Sequence, residues 1–156
     1  MITPHTIVGA AVGSVTGNSG VAFLLGFLSH HLLDALPHID LNNFYHEANV
    51  DRRYNRLDYL VIGLDALVAV LVLWVFFRFG SHGGGGYWWG ALGGITPDLI
   101  DNHPWRQITR QWPLLKQYHR FHHWFHLPTK FQTKYFALAM TVQILVVLLG
   151  IFWLAR

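Results

Sequence analysis

The chain has 156 residues, of which 53% are apolar and only 12% are charged. This charged share is about half of the roughly 25% that is usual in globular proteins. The absence of cysteine excludes disulfide bonds and thiolate metal sites within these residues. The formal net charge of +3 is modest, and we expect no nucleic-acid partner. Length and composition predict a single membrane-embedded domain over residues 1–156.

Two apolar segments at the start of the chain predict a helical hairpin. Residues 4–17 are apolar and small, and Gly9 and Gly13 form a G-x-x-x-G pair that permits close helix approach. After a glycine-containing turn, residues 21–36 predict a second helix. That helix should end at Pro37, because a proline disfavours helix for the residue before it.

The remaining helices are predicted from longer apolar runs. Residues 57–79 are the clearest membrane span, with 23 residues or roughly 34 Å of helix. A shorter apolar helix follows over 87–100 and should stop near Pro97, and a second long span covers 133–155. An amphipathic helix over 110–126 lies between them. The sequence thus predicts an all-α integral membrane bundle, with about five embedded helices and one interfacial helix.

The basic residues predict an orientation for this bundle. Two of them, Arg78 and Arg156, lie at one set of helix ends, and nine lie in the two long loops. The positive-inside rule places those loops in the cytoplasm, with the N-terminus inside and the C-terminus outside. We therefore expect an integral membrane protein whose two long loops face the cytoplasm. The nine loop residues are Arg52, Arg53, Arg56, Arg106, Arg110, Lys116, Arg120, Lys130 and Lys134.

Histidine and aspartate side chains gather at the predicted cytoplasmic ends of the helices. Imidazole and carboxylate form the ligand set of zinc, and ionisable groups beside membrane helices are functional candidates. His30 and Asp34 are four residues apart, so they share one helix face. The candidate metal ligands are His5, His30, Asp34, His38, Asp40, Asp65, His119, His122, His123 and His126.

The last four of these histidines are not distinguished by the sequence. His119, His122 and His126 lie on one helical stripe, and His123 pairs with His119 and His126 by the same spacing. We expect at least one of them to bind metal. The other interpretation is an interfacial helix whose basic and aromatic residues touch lipid head groups, and both can hold at once.

Carboxylates and arginines near this cluster suggest further roles. Asp98 and Asp101 end an apolar helix, where the helix dipole disfavours a carboxylate unless a cation such as a metal ion lies nearby. Either carboxylate is also a candidate for the catalytic general base. Asp65 is either a ligand or the partner that orients a ligating histidine, and a protonated, hydrogen-bonded aspartic acid is the alternative. The candidates for holding substrate or lipid phosphate are Arg52, Arg53, Arg106 and Arg120.

Three segments resemble a known group of proteins. Residues 3–10 (TPHTIVGA), 26–40 (GFLSHHLLDALPHID) and 93–98 (GGITPD) are similar to small bacterial membrane proteins described as membrane-bound metal-dependent hydrolases. The resemblance covers about two thirds of the chain. The His30-x-x-x-Asp34 pair also resembles zinc-dependent phospholipase C, a helical enzyme that holds a zinc cluster with histidine and aspartate. Where the hydrolases often have Pro-Asp-x-Asp, here two residues separate Asp98 from Asp101.

The expected activity is metal-assisted hydrolysis of a phosphoester at the cytoplasmic face. One to three divalent ions, expected to be zinc, would polarise the phosphoryl group. The substrate would be a lipid head group or a small phosphorylated molecule. The sequence is compatible with either a monomer or an oligomer. The alternatives are a divalent-metal transporter, whose ligands would lie near the midplane with access from both sides, a haem protein, and a metal-binding protein without catalysis.

Overall fold

The chain is all-helical over the residues that the computed structural model describes. These are 1–39, 55–80, 84–101, 106–109 and 111–156. They contain six helices of twelve or more residues, two short helices and no strand. The helices are α1 (Ile2–Gly13), α2 (Ser19–Asp34), α3 (Arg56–Phe79), α4 (Gly85–Asp101), α5 (Arg106–Thr109), α6 (Pro113–Phe125), α7 (Thr129–Lys134) and α8 (Phe136–Leu154).

The predicted helices are present, and their bounds differ from the predicted ones at several points, the first being that α1 ends at Gly13 and not at residue 17. The predicted amphipathic helix over 110–126 is present as α6, which begins at Pro113, and the short helix α5 precedes the predicted range. The last predicted helix is divided at Tyr135, whose backbone φ of −112° and ψ of 38° leave the helical region. Pro97 does not end α4, which continues to Asp101. The proline removes only the hydrogen bond to the Gly93 carbonyl, and the following turn is held at Asp101 by side chains of α6.

Among the described helices, two are long and apolar enough to cross a membrane, namely α3 and α8. Most of their side chains face outward from the protein. The helices α1, α2 and α4 have 12, 16 and 17 residues. They would extend over roughly 18–26 Å, less than a hydrocarbon core of about 30 Å. The prediction of five embedded helices is therefore supported for two of them and stays a prediction for the other three.

The short helices α1, α2 and α4 pack backbone against backbone through glycines. A methyl group added to Gly13 would lie 2.6 Å from the Cα of Gly90, and one added to Gly90 would lie 2.7 Å from the Cα of Gly13. No L side chain fits at that separation. The close approach predicted from Gly9 and Gly13 is thus confirmed, and its partner is α4.

A small apolar core joins the short helices to the far ends of α3 and α8. It contains Ile7, Ala10 and Ala11 of α1 with Leu73, Tyr87 and Leu154. The buried Tyr87 hydroxyl donates a hydrogen bond of 2.8 Å to the Leu73 carbonyl. This core aligns the C-terminal ends of α3 and α8 with one another.

At the opposite end of the bundle, the start of α1 and the chain after α2 do not reach as far as the starts of α3 and α8. The backbone N–H of Ile2 donates to the Asp65 carboxylate, and that of Ile39 donates to the Gln143 side-chain oxygen at 3.3 Å. Asp65 lies nine residues after α3 begins, and Gln143 lies seven residues after α8 begins. The start of α1 and the segment that follows α2 are therefore recessed by roughly 10–13 Å along the two long helices.

Candidate metal centre

The carboxylate of Asp34, at the end of α2, is the centre of a buried cluster of imidazoles. Its Oδ2 atom lies 3.0 Å from Nε2 of His30, 3.0 Å from Nε2 of His122 and 3.2 Å from Nε2 of His126. Its Oδ1 atom lies 3.3 Å from Nε2 of His5. Three helices thus place side chains on one carboxylate, with His126 as the residue that follows the last of them.

Outer hydrogen bonds fix two of these imidazole rings. His30 Nδ1–H donates to the Gly94 carbonyl at 2.7 Å, and His122 Nδ1–H donates to the Asp101 carboxylate at 2.9 Å. Because these acceptors hold the proton on Nδ1, each ring turns its Nε2 atom toward the cluster. A histidine anchored through one nitrogen in this way is the usual arrangement of a metal-ligating imidazole.

The two inward Nε2 atoms of His30 and His122 are only 3.0 Å apart. Two neutral imidazoles would oppose their lone pairs there, so the arrangement calls for a cation. Burial lowers the pKa of His122, but its hydrogen bonds to Asp101 and Asp34 outweigh burial and raise the pKa to about 10. The surroundings therefore stabilise positive charge at this point, which either a proton or a metal ion can supply.

The spacing of the ligand atoms also fits a metal ion. A tetrahedral ion with bonds of about 2.0–2.1 Å separates its ligand atoms by roughly 3.3 Å. The Nε2 atoms of His122 and His126 are 3.3 Å apart, and their separations from Asp34 Oδ2 are 3.0 and 3.2 Å. The donors are nitrogen and oxygen, as zinc and its neighbours accept.

The cluster offers more than one position for an ion. The described residues contain five groups in each of which three ligand atoms lie within 4.8 Å of one another. Asp34 belongs to three of the groups, so its two oxygens can bridge neighbouring positions. The groups are His5–His30–Asp34, His30–Asp98–His122, His31–Asp34–His122, Asp34–His38–His126 and Asp101–His119–His123.

The two candidate catalytic carboxylates have different environments. Asp101 accepts hydrogen bonds from Nδ1 of both His119 and His122, so it orients imidazole rings. Asp98 is more open, with 17% of its side chain exposed, and its Oδ1 atom lies 3.9 Å from Nε2 of His30. This position suits a group that contacts a substrate or water beside an ion.

The structure brings most of the predicted ligands together. Asp65 instead receives hydrogen bonds from the backbone of Ile2 and Thr3 and belongs to none of the ligand groups found among the described residues. Arg120 is exposed on α6. The predictions for Asp40, Arg52, Arg53 and the side chain of Arg106 lie outside what the structure describes. The residues that converge are His5, His30, Asp34, His38, Asp98, Asp101, His119, His122, His123 and His126.

His31 is a member of the cluster that the set of predicted ligands did not include. It is 4% exposed and is enclosed by the rings of Phe27, Tyr118, Phe121 and Phe125. Its spacing of three residues from Asp34 was the available signal. The aromatic contacts join α2 to α6 and so help to hold the neighbouring His122 in place.

No protein-family model matches the chain, and neither the curated proteins nor the solved structures contain a significant match. The functional assignment therefore depends on the geometry of the cluster.

Proposed function

We propose that this chain is an integral membrane hydrolase that uses a divalent metal, expected to be zinc, to cleave a phosphoester at the cytoplasmic face of a bacterial or archaeal membrane. The observation that carries the proposal is the convergence of four imidazole Nε2 atoms on Asp34. Two of these rings are anchored outward through Nδ1. The resemblance of residues 3–10, 26–40 and 93–98 to membrane-bound metal-dependent hydrolases points to the same class.

Two features of the surface support a membrane location. The outward faces of α3 and α8 are apolar, as a span requires. The helix α6 exposes 78% of Leu114 and 79% of Trp124, while Lys116 and Arg120 are also exposed. A helix with large apolar and basic side chains on its outside suits the boundary between head groups and acyl chains. We infer that α6 lies in that boundary and covers the cluster.

Different residues of the cluster would have different chemical roles. The ion, when bound, would polarise the phosphoryl group and make a water molecule a better nucleophile near neutral pH. His5, His30, Asp34, His122 and His126 would hold it. Asp98 would accept the proton of the attacking water, and Asp101 would keep His122 turned inward. Arg120 would attract the anionic substrate to the face of α6.

The position of the cluster argues for hydrolysis over transport. A transporter needs ligands that can be reached from both sides of the membrane. Here every ligand group in the described part of the chain lies at one end of the short helices, beside the start of α1 and the end of α2. The opposite end is closed by the apolar core around Ile7, Leu73 and Leu154.

The test combines a chelator with two matched substitutions. Purified protein in mixed lipid vesicles should release phosphate or a phosphorylated head group, and a chelator should abolish this activity. Asp98→Asn should keep the metal and lose turnover by about 10²–10⁴-fold, as for a general base. Asp58→Asn is the control, because Asp58 is a buried carboxylate of the helix cap of α3 and lies outside the cluster. Zinc flux across the vesicles without hydrolysis of any phosphoester would contradict the proposal.

A further inference from the structure

The helix α6 is attached to the rest of the protein mainly through the candidate metal centre. Of its 13 residues, His122 is the one that is buried. No side chain of α6 belongs to the apolar core of the described residues. Its other ring contacts with the bundle reach His31 and Phe27 of α2. An element with so little buried apolar surface can separate from its neighbours while the core stays intact.

Extended backbone bounds this helix on both sides. Trp112 precedes α6 with a φ of −90° and a ψ of 124°, and Pro128 lies two residues after His126 with a φ of −55° and a ψ of 140°. Hinge motions use a few such residues at the ends of an element, because only their backbone angles have to change. Residues 113–126, which we call the α6 segment, can therefore turn as a unit.

The centre contains more donors than a single ion uses. The short helices supply His5, His30 and Asp34, and the α6 segment adds His122 and His126. Zinc takes four protein ligands in closed structural sites, whereas a catalytic site has three protein ligands and one open position. With all five side chains around one ion, no position is left for a substrate.

The observed arrangement also has no room for a substrate. His30, Asp34 and His122 are exposed by only 0%, 1% and 2%. The cavity that borders the centre at His5 and His38 measures about 20 Å³, which is room for one water molecule. A phosphoester can therefore reach the centre only if part of the protein moves. Because α1, α2 and α4 are held together by their glycine contacts, the α6 segment is the part that can move.

We propose that the α6 segment is a lid that carries two metal ligands and must leave the bundle to admit a phosphoester. This inference rests on the proposed function. When the lid opens, His5, His30 and Asp34 stay together, and these three form one of the ligand groups by themselves. Three is the number of protein ligands in a catalytic zinc site. Asp98 also stays on the bundle, with its Oδ1 atom 3.9 Å from Nε2 of His30.

A reversible cross-link tests whether the α6 segment must move. Because the chain has no cysteine, Phe27→Cys combined with Tyr118→Cys places one thiol on α2 and one on α6, where the native rings lie 6.0 Å apart. A short bifunctional methanethiosulfonate joins the thiols, and a reductant separates them. The matched control is Phe77→Cys combined with Trp88→Cys, which joins α3 to α4 where the native rings lie 5.1 Å apart.

In zinc-loaded protein, the α2–α6 cross-link should slow the release of zinc to an excess of chelator at least tenfold, and the reductant should restore the rate. The α3–α4 cross-link should change this rate less than twofold. The α2–α6 cross-link should also lower phosphoester hydrolysis at least tenfold while the zinc content stays constant. Zinc release that is equally fast with and without the α2–α6 cross-link would overturn the proposal.

Spin labels give a second measurement that needs neither turnover nor a cross-link. Labels at the exposed positions Leu28 of α2 and Trp124 of α6 leave the ligands unchanged. Double electron–electron resonance in lipid vesicles should find two distances that differ by about 10 Å, the width of a helix, and excess zinc should favour the shorter one. A single distance with and without zinc would overturn the lid. Two zinc-dependent distances without hydrolysis of any phosphoester would support the lid and contradict the hydrolase.

Discussion

Asp34 has the most constrained side chain of the cluster, because four imidazoles approach its two oxygens. Removing its charge would leave His5, His30, His122 and His126 facing one another without a counter-ion. Asparagine keeps the shape of the side chain but replaces one acceptor by an N–H donor. The substitution Asp34→Asn therefore tests the effect of charge and metal ligation while changing the packing little.

We expect Asp34→Asn to lower the bound metal at least fivefold, because the remaining ligands would be imperfectly coordinated. Elemental analysis of detergent-purified protein after gel filtration measures this. Asp58→Asn is the matched control, since Asp58 is 7% exposed, caps α3 and lies outside the ligand groups found in the described residues. Retention of the full metal content by Asp34→Asn would show that the cluster is not a metal centre.

Asp65 gives the opposite prediction. Its carboxylate accepts from the backbone N–H groups of Ile2 and Thr3, at the positive end of the α1 dipole. We expect Asp65→Asn to keep its metal and to lose about 1 kcal/mol of unfolding free energy, as for other helix N-terminal acceptors. Elemental analysis and denaturation of the same sample measure both. Loss of metal to the extent seen in Asp34→Asn would restore the ligand role that the sequence suggested.

At the scale of the helices, glycine contacts determine where the ligands lie. His30 and Asp34 belong to α2, Asp98 and Asp101 to α4, and His5 to α1. These three helices can bring their polar ends together only because their backbones touch at glycines such as Gly13 and Gly90. An added side chain would separate the helices and with them the ligand atoms.

We therefore expect Gly90→Ala to destabilise the protein by about 1–3 kcal/mol through overpacking and to lower its metal content as well. A matched control is Gly63→Ala in α3, where an added methyl group meets nothing within 4 Å. That substitution should be neutral or slightly stabilising, because alanine is the better helix former. Thermal unfolding of both variants measures the difference. Equal stability of the two would contradict the close packing of α1 on α4.

The sequence allowed the helices, and the face shared by His30 and Asp34, to be predicted, because apolar periodicity and spacing are local signals. It left His122 and His123 equivalent. The rotation of α6 about its axis decides between them, with His122 buried and His123 exposed. That rotation depends on aromatic contacts with His31, which lies 87 or more residues from its partners Tyr118, Phe121 and Phe125. The partner of Asp65 is backbone, which carries no side-chain signal at all.

For the whole molecule, the decisive question is whether the two candidate spans, α3 and α8, cross a membrane, and in which direction. The two helices run in the same direction. Their C-terminal ends are adjacent, because a Cβ added at Gly80 would lie 3.0 Å from the Leu154 carbonyl. Their earlier parts both contact the start of the chain, through Asp65 with Ile2 and Gln143 with Met1. Both therefore begin on the side of the metal centre. The nine basic residues of the two long loops precede α8 or surround the start of α3, which predicts that this side is cytoplasmic.

Single cysteines in this cysteine-free chain test that arrangement. We expect an impermeant maleimide to label Phe79→Cys and Arg156→Cys in intact bacterial cells, and Arg56→Cys and Tyr135→Cys only after the membrane is opened. The reverse labelling pattern would still show that both helices span the membrane. It would contradict the predicted orientation and show that the basic loops do not determine which side is cytoplasmic. Labelling of Arg56→Cys and Phe79→Cys from the same side would show that α3 does not span the membrane. The candidate metal centre could then not be recessed in a bilayer.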